Sequence, residues 1–197
     1  GTTELNFCVR YGNTSYAIPL LGEHQLHNAA TVLEAVSVLR EQGWDIDDEA
    51  VESGLYSVAW PARFEVLHTD DPWFVLDGGH NPQCAAALRE CLEHYFPDSK
   101  RVALVGVLKD KDYKSIAATL APLFDACVCV TPPSERALPA EELAELFKDS
   151  CREVCVADTV EDGVDLARDI AQEQDAMVCA FGSLYICGQI RSCFGLR

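Results

Sequence analysis

The sequence predicts an α/β fold in which a mostly parallel sheet of about six strands lies between layers of helices. Short apolar runs rich in β-forming residues alternate with helical segments from about residue 63 onward. The runs are nearly continuous in apolar residues, which is typical of strands that are covered on both faces. Strands that alternate with helices favour parallel pairing through helical crossovers. With 197 residues, 49% of them hydrophobic, the chain is long enough to bury a sizeable core.

The first sixty residues predict a different, smaller unit. Residues 5–9 and 15–19 flank the turn signal Tyr11-Gly12-Asn13, which indicates a hairpin. Helices are expected over residues 25–41 and 47–58, from apolar residues at helical spacing and from acidic residues that open the second segment. Pro61 ends this unit, because the residue before a proline disfavours the helical conformation. We therefore divide the chain into residues 1–62 and 63–197.

The second part is predicted to contain six strands and five helices in alternation. The expected strands cover residues 64–68, 73–77, 102–108, 126–131, 153–157 and 176–181, and the expected helices cover residues 82–95, 113–123, 140–149, 160–173 and 184–193.

Charge and composition exclude several classes of function. The chain has 15 Lys and Arg against 32 Asp and Glu, a net charge of −17, and such a surface repels nucleic-acid phosphates. No apolar run approaches the 18 residues that a membrane-spanning helix needs, and no signal peptide opens the sequence. The ten cysteines include no CxxC pair, so we expect reduced thiols, no metal site and a cytoplasmic location. The main concentration of basic residues is the window 100–114, which is net +3.

Ligands of parallel sheets bind beyond the carboxyl ends of the strands, so the residues after each apolar run are the candidate site. The three segments are residues 77–82 (Asp-Gly-Gly-His-Asn-Pro), 109–112 (Lys-Asp-Lys-Asp) and 182–185 (Gly-Ser-Leu-Tyr). Asp77 suits ribose hydroxyls and His80 suits a carboxylate or a phosphate. Each segment also has a purely structural interpretation, as a strand-to-helix turn, a solvated loop or a helix cap. The sequence contains neither GxGxxG nor GxxxxGK[ST].

Five motifs in order resemble the folylpolyglutamate synthase/dihydrofolate synthase family of the Mur ligase superfamily. They correspond to the family patterns HQ-x-x-N, PGRFE, DGAHNP, G-x-x-x-DKD and GSLY, and they stand at residues 21–28, 60–65, 77–82, 106–112 and 181–185. Ala62 replaces the usual glycine, which we expect to stiffen the interdomain hinge. Gly79 replaces the usual alanine, which we expect to leave the side-chain chemistry unchanged.

The resemblance implies that the chain is the C-terminal half of such an enzyme. Residues 1–62 would be the tail of the central P-loop ATPase domain, and residues 63–197 the Rossmann-like C-terminal domain, with one antiparallel strand among six. The family's phosphate loop, modified lysine and Mg²⁺ ligands are not in this sequence, so they are expected in a preceding N-terminal part. The 197-residue chain alone is therefore expected to be inactive.

The implied reaction is ATP-dependent ligation of L-glutamate to folate or dihydropteroate through an acyl phosphate. By resemblance, Asn28, Arg63 and Asp77 bind ATP, with Arg63 on the phosphates and also catalytic. His80, the second catalytic residue, faces the incoming glutamate together with Ser183, and Lys109 and Lys111 add positive potential. The implied partners are small molecules, with ATP and Mg²⁺ as cofactors, no nucleic acid or membrane, and a monomeric state.

Two alternatives to the folate ligase stay open. One is a stand-alone module that binds a nucleotide or an amino acid, and the other is a Mur-type ligase of cell-wall synthesis. The second is disfavoured by residues 60–65 and 181–185, which resemble the folate branch. Neither the number of glutamates added nor the presence of dihydrofolate synthase activity follows from the sequence.

Overall fold

The computed structural model describes residues 7–11, 14–68, 70 and 72–196. The chain divides into two compact units between Pro61 and Ala62, one residue before the division that the sequence suggests. In the part of the chain that is described, no helix is long and apolar enough to cross a membrane.

The first unit consists of a two-stranded hairpin and two helices. Strands β1 (Phe7–Tyr11) and β2 (Thr14–Ile18) pair antiparallel, and helices α1 (Glu23–Glu41) and α2 (Asp48–Tyr56) follow. The predicted turn residues Gly12 and Asn13 lie outside the described residues. Helix α2 begins where the sequence indicates, because the Asp47 side chain accepts a hydrogen bond from the N–H of Ala50 at 2.6 Å. A small apolar core joins these elements and contains Tyr16, Ile18, Ala29, Leu33, Val51 and Leu55.

The second unit is a six-stranded sheet flanked by helices, in the strand order β3-β4-β8-β5-β6-β7. Strand β3 is antiparallel to β4, and all other neighbours are parallel. The strands are β3 (Glu65–His68), β4 (Phe74–Leu76), β5 (Lys100–Val105), β6 (Ala126–Val130), β7 (Glu153–Ala157) and β8 (Ala176–Phe181). The helices are α3 (Pro82–Tyr95), α4 (Tyr113–Leu120), α5 (Ala140–Glu145), α6 (Val160–Gln174) and α7 (Leu184–Cys193), and a 3-10 turn over Ala121–Leu123 extends α4. The predicted α/β architecture is confirmed.

The four central strands form the core of this unit. Every residue of β4, β6 and β8 is buried, and so is every residue of β5 after Lys100. This confirms that near-continuous apolar runs indicate strands covered on both faces. The nine cysteine side chains among the described residues are free thiols, six of them buried.

Two predicted boundaries are wrong for identifiable reasons. Strand β5 was expected to reach residue 108, but it ends at Val105, and Leu108 instead forms a bridge with Ala137 in the loop after β6. Helix α5 was expected to reach residue 149, but it ends at Glu145. The N–H groups of the two residues that follow α5 bond to carbonyls three residues back rather than four, so the helix tightens and stops.

The basic window at residues 100–114 does not form one cluster. Arg101 is buried at the amino end of β5, where its guanidinium donates to the Leu92 and Phe96 carbonyls at the end of α3. Lys109 and Lys111 follow the opposite end of the same strand. A six-residue strand separates its ends by about 20 Å. Of the basic residues in this window, only those after β5 therefore lie toward the carboxyl-end edge.

Candidate functional site

The carboxyl ends of three neighbouring strands meet at one edge of the sheet. The Asp77 N–H, just after β4, donates to the Ala180 carbonyl of β8 at 2.8 Å. The Gly106 N–H, just after β5, donates to the Phe181 carbonyl of β8 at 3.3 Å. The segments that follow β4, β8 and β5 are therefore side by side, which brings together three of the predicted site segments.

Gly182 is the residue that lets two of these segments touch. Its φ of +110° lies in the region that favours glycine. A Cβ at this position would lie 2.6 Å from the Gly106 carbonyl oxygen and 2.8 Å from Val107 Cγ1. Any side chain would separate the ends of β8 and β5, so glycine is needed to hold Ser183 beside the loop that starts at Gly106.

Asp77 has a structural task in addition to its predicted role toward ribose. Its carboxylate is buried, with 8% of the residue exposed. Oδ2 accepts from the Phe64 N–H at 2.9 Å, and Oδ1 accepts from the Gly79 N–H at 2.7 Å. The carboxylate therefore joins the turn after Ala62 to the turn after β4. The ribose contact stays a prediction.

The charge of the Asp77 carboxylate affects the pKa values of three buried thiols. Burial, with the Asp77 charge as the next cause, raises the pKa of Cys91 and of Cys187 to about 12. The same two causes raise the pKa of Cys179 well above its usual value. At neutral pH these thiols are uncharged, so they add no negative charge beside Asp77.

Arg63 lies in a turn with an unusual backbone. Its neighbours Ala62 and Phe64 have φ values of 56° and 45°, in the left-handed region where non-glycine residues are rare. Ala62 thus occupies a conformation that a glycine would adopt without strain. Arg63 is half-buried, and its guanidinium forms no ion pair within the described residues. Its charge is therefore available to an anionic ligand.

His80 is oriented by the turn that carries it. Its Nδ1 lies 3.1 Å from the Gly78 carbonyl oxygen, which can only accept, so Nδ1 carries the proton. The other ring nitrogen, Nε2, donates to a ligand only when the ring is protonated. Asn81 caps α3 by accepting from the Cys84 N–H at 2.8 Å, and Pro82 is the first residue of that helix, as the sequence indicates.

The structure adds a spatial reason for Gly79, besides the expectation that this replacement leaves the side-chain chemistry unchanged. A Cβ at this position would lie 2.6 Å from Asp77 Oδ1 and 2.8 Å from Cys84 Cβ. Both distances are shorter than real Cβ contacts. In this chain the glycine permits the short hydrogen bond by which its own N–H reaches the Asp77 carboxylate.

Ser183 is buried, with 2% of the residue exposed, and it caps helix α7. Its Oγ accepts a hydrogen bond from the Tyr185 N–H at 3.2 Å. A hydroxyl that accepts in this way still has its own hydrogen to donate. Capping explains the serine structurally, and its predicted contact with glutamate stays a prediction.

The two carboxylates next to the lysines after β5 are engaged with other partners. Asp110 Oδ2 accepts from Arg136 Nη1 at 2.9 Å, and Asp112 caps α4 through the Ser115 N–H. No ion pair of Lys109 or Lys111 occurs within the described part of the chain. The positive potential that Lys109 and Lys111 would offer a ligand stays a prediction.

Arg136 is a residue of this edge that sequence reasoning missed. Its carbonyl accepts from the Lys109 N–H at 2.8 Å, and its guanidinium also donates to the Tyr185 hydroxyl at 3.3 Å. That hydrogen bond, and then the charge of Asp110, raise the pKa of Arg136. Arg136 follows β6, so reading the residues after this fourth parallel strand would have revealed it.

Asn28 belongs to the first unit and is described there by itself. It is exposed on α1, and its Nδ2 donates to Gln25 Oε1 at 2.9 Å. Gln25 is buried, with its Nε2 2.9 Å from His24 Nε2. The amide of Asn28 is therefore oriented by Gln25 on an exposed part of α1.

No metal centre is formed by the residues that the structure describes, since no three His, Cys, Asp or Glu side chains are grouped suitably.

Comparison with known proteins agrees with the geometry. The family model described as "Mur ligase, glutamate ligase domain" matches residues 62–184. The dihydrofolate synthase/folylpolyglutamate synthase of Mycobacterium tuberculosis is 35% identical, over 90% of this chain and 40% of that protein. A probable bifunctional folylpolyglutamate synthase/dihydropteroate synthase of Halobacterium salinarum is 37% identical, over 89% of this chain and 21% of that protein.

Solved structures give the same result. Mycobacterium tuberculosis folylpolyglutamate synthase, complexed with ADP and AMPPCP, superposes with a TM-score of 0.81 at 34% identity. The match covers 93% of this chain and 43% of that chain. A bifunctional folylpolyglutamate synthase/dihydrofolate synthase with Mn, AMPPNP and L-glutamate bound has a TM-score of 0.70 at 29% identity, over 95% of this chain and 44% of that chain. The chain thus spans less than half the length of these relatives and corresponds to their C-terminal part. It belongs to the Mur ligase family, in the branch of the folylpolyglutamate and dihydrofolate synthases, and carries the glutamate ligase domain of that family.

Proposed function

We propose that this chain is the glutamate-binding part of an ATP-dependent carbon–nitrogen ligase that joins L-glutamate to folate or dihydropteroate. The observation that carries the proposal is the edge formed by the ends of β4, β8 and β5, with Arg63 beside it. This edge gathers Arg63, His80, Lys109, Lys111 and Ser183 in a chain whose net charge is −17. Local positive charge of this kind suits ligands that carry phosphate and carboxylate groups.

The reaction that we propose proceeds in two steps. A carboxylate oxygen of the folate substrate attacks the γ-phosphorus of ATP, which forms an acyl phosphate and releases ADP. The amine nitrogen of glutamate then attacks the acyl carbon, the carbon–oxygen bond to phosphate breaks, and the amine loses a proton. The products are an amide, ADP and phosphate. Fixed cations favour both steps because negative charge moves through each transition state.

We assign the phosphate contact to Arg63, whose guanidinium is not neutralised by a described carboxylate. Loss of one such contact typically slows turnover by about 10²–10³-fold. We expect Arg63→Ala to have this effect in the enzyme expressed from the complete reading frame. Folding should be almost unchanged, because the side chain is only partly buried and makes no ion pair within the described residues.

We assign the carboxylates of the incoming glutamate to His80, Ser183 and the two lysines after β5. We assign the contact of His80 to its Nε2, because Nδ1 already faces the Gly78 carbonyl. Ser183 contributes the hydroxyl hydrogen that capping leaves over. Lys109 and Lys111 contribute positive potential rather than oriented hydrogen bonds.

We assign ATP to Asn28, Arg63 and Asp77, and the solved relatives that hold ADP and AMPPCP, or Mn and AMPPNP, support a nucleotide with a divalent metal. We propose that the metal is Mg²⁺ and that its ligands lie outside these 197 residues. We also propose that the enzyme is a cytoplasmic monomer that binds neither nucleic acid nor membranes.

A two-substrate kinetic matrix tests the division between glutamate and nucleotide. We expect His80→Ala to raise the KM for glutamate and Asp77→Ala to raise the KM for ATP. Asp77→Ala should also lower stability, because it leaves the N–H groups of Phe64 and Gly79 without their acceptor, at about 1–3 kcal/mol each. If both variants shift the same substrate, the division is wrong.

Glutamate-dependent release of ADP by the complete enzyme tests the function itself. Lys109→Ala should raise the KM for glutamate, since it removes a charge from the edge. Lys148→Ala is the matched control, because this lysine is exposed, follows α5 and pairs with Glu145 away from the strand ends. ADP release that does not depend on glutamate, or equal effects of the two variants, would contradict the proposal.

A further inference from the structure

The turn around Arg63 needs outside support to keep its shape. Ala62 and Phe64 have φ values of 56° and 45°, so both residues next to Arg63 are in the left-handed region. Two such residues this close together are costly, and a backbone of this kind persists only where surrounding contacts determine it. The orientation of the Arg63 side chain therefore depends on whatever holds its two neighbours.

Two carboxylates hold these neighbours, one on each side. Glu65 Oε2 accepts from the Ala62 N–H at 2.8 Å, and Asp77 Oδ2 accepts from the Phe64 N–H at 2.9 Å. The Ala62 carbonyl also accepts from the Gly78 N–H at 2.7 Å. Hydrogen bonds to a charged acceptor are stronger than those between neutral groups. The backbone is thus anchored immediately before and after Arg63.

Glu65 is itself held from the far end of helix α7. Its Oε1 accepts from Nη1 of Arg191, and the two side chains are 23% and 14% exposed. Arg191 is near the end of α7, and Ile186 and Ile190 of the same helix are fully buried. The helix that begins at Ser183 in the candidate site therefore ends by fixing the carboxylate that anchors the Arg63 turn.

We propose that Glu65 and Arg191 are positioning residues that hold Arg63 in the orientation needed for its contact with phosphate. This inference rests on the proposed function, in which Arg63 stabilises the transferring phosphate. Glu65 acts through the Ala62 N–H, and Arg191 acts through Glu65. Neither residue touches a substrate. The pair also connects α7, which begins in the predicted glutamate site, to the phosphate-binding turn.

A double-mutant cycle in the complete enzyme tests this inference. A small displacement of a catalytic group can cost about 10²-fold in rate, so Glu65→Leu should lower kcat by about 10–100-fold. In an Arg63→Ala background, Glu65→Leu should have almost no further effect, because the group that it positions is gone. Arg191→Leu should behave in the same way. Glu65→Gln keeps an acceptor for the Ala62 N–H and should lose less activity than Glu65→Leu.

Glu145→Leu is the matched control, because it removes an exposed carboxylate from the Glu145–Lys148 ion pair at the end of α5. It should leave kcat unchanged. A loss from Glu65→Leu that is equally large with and without Arg63 would mean a general structural role and would overturn the inference. So would equal losses for Glu65→Leu and Glu65→Gln. If Arg63→Ala itself keeps wild-type turnover, the phosphate assignment fails first, and the inference fails with it.

Discussion

Replacing Ala62 by glycine isolates the cost of the left-handed backbone beside Arg63. Ala62 has a φ of 56°, and an L-residue pays about 1–2 kcal/mol for this conformation. Ala62→Gly removes that cost. The greater freedom of glycine in the unfolded chain lowers the free energy of unfolding by about 0.5–1 kcal/mol. About 0.8 kcal/mol more is lost with the methyl group, since Ala62 is only 7% exposed within the main core cluster.

These contributions nearly cancel, so we expect the free energy of unfolding to change by less than about 0.8 kcal/mol in either direction. Ala167→Gly is the matched control, because Ala167 is fully buried in the same cluster but lies within helix α6. There the glycine costs about 1 kcal/mol in helix propensity and about 0.8 kcal/mol in lost burial, with no strain to relieve.

Thermal unfolding of the two variants measures the difference. One kcal/mol shifts Tm by about 2–4 °C for a chain of this size, so Ala167→Gly should lower Tm by about 4–7 °C. Ala62→Gly should stay within about 3 °C of the parent. If Ala62→Gly is as destabilising as Ala167→Gly, the backbone at residue 62 stores no strain and the argument from its φ is wrong.

Three further outcomes are expected. Gly182→Ala should destabilise the chain and raise the KM for glutamate in the complete enzyme, because its Cβ would lie 2.6 Å from a carbonyl oxygen; a urea midpoint equal to that of the parent would refute this. Because the pKa values of Cys91, Cys151 and Cys187 are raised to about 12, 11 and 12, the native state keeps these protons while the unfolded chain loses them near pH 9. Stability should therefore be intact below pH 9 and fall as the pH rises toward 12, and unfolding curves that do not change over this range would contradict the burial of these thiols. The purified 197-residue chain should release no ADP from ATP, because its sequence has no phosphate loop, and steady glutamate-dependent release would overturn this.

The order and type of the elements could be predicted because they depend on local patterns. Apolar runs without alternation marked the buried strands, and the helix starts at Asp47 and Asn81 followed from side chains that accept hydrogen bonds from N–H groups within one turn. Ligands bind at the carboxyl ends of parallel strands, so the sequence alone indicates Asp77, His80 and Ser183 as candidate site residues.

Where the sequence pattern misled, contacts from outside the segment decided the outcome. Residues 106–108 continue an apolar run, yet they leave the sheet because Leu108 pairs with Ala137. The basic residues at 100–114 are close in sequence, but Arg101 is drawn to the carbonyls at the end of α3. Periodicity cannot reveal either partner, because both depend on elements distant in the chain.

The sequence by itself determined the α/β alternation, the caps and the set of chemically suitable residues, since each depends on neighbours within one or two turns. Only the tertiary structure decided which of these residues act together. The strand order β4-β8-β5 joins segments about a hundred residues apart, and the Glu65–Arg191 pair joins residues 126 positions apart. Such contacts form because packing buries the shared apolar faces of the sheet and α7, and that free energy depends on the whole core rather than on any local stretch.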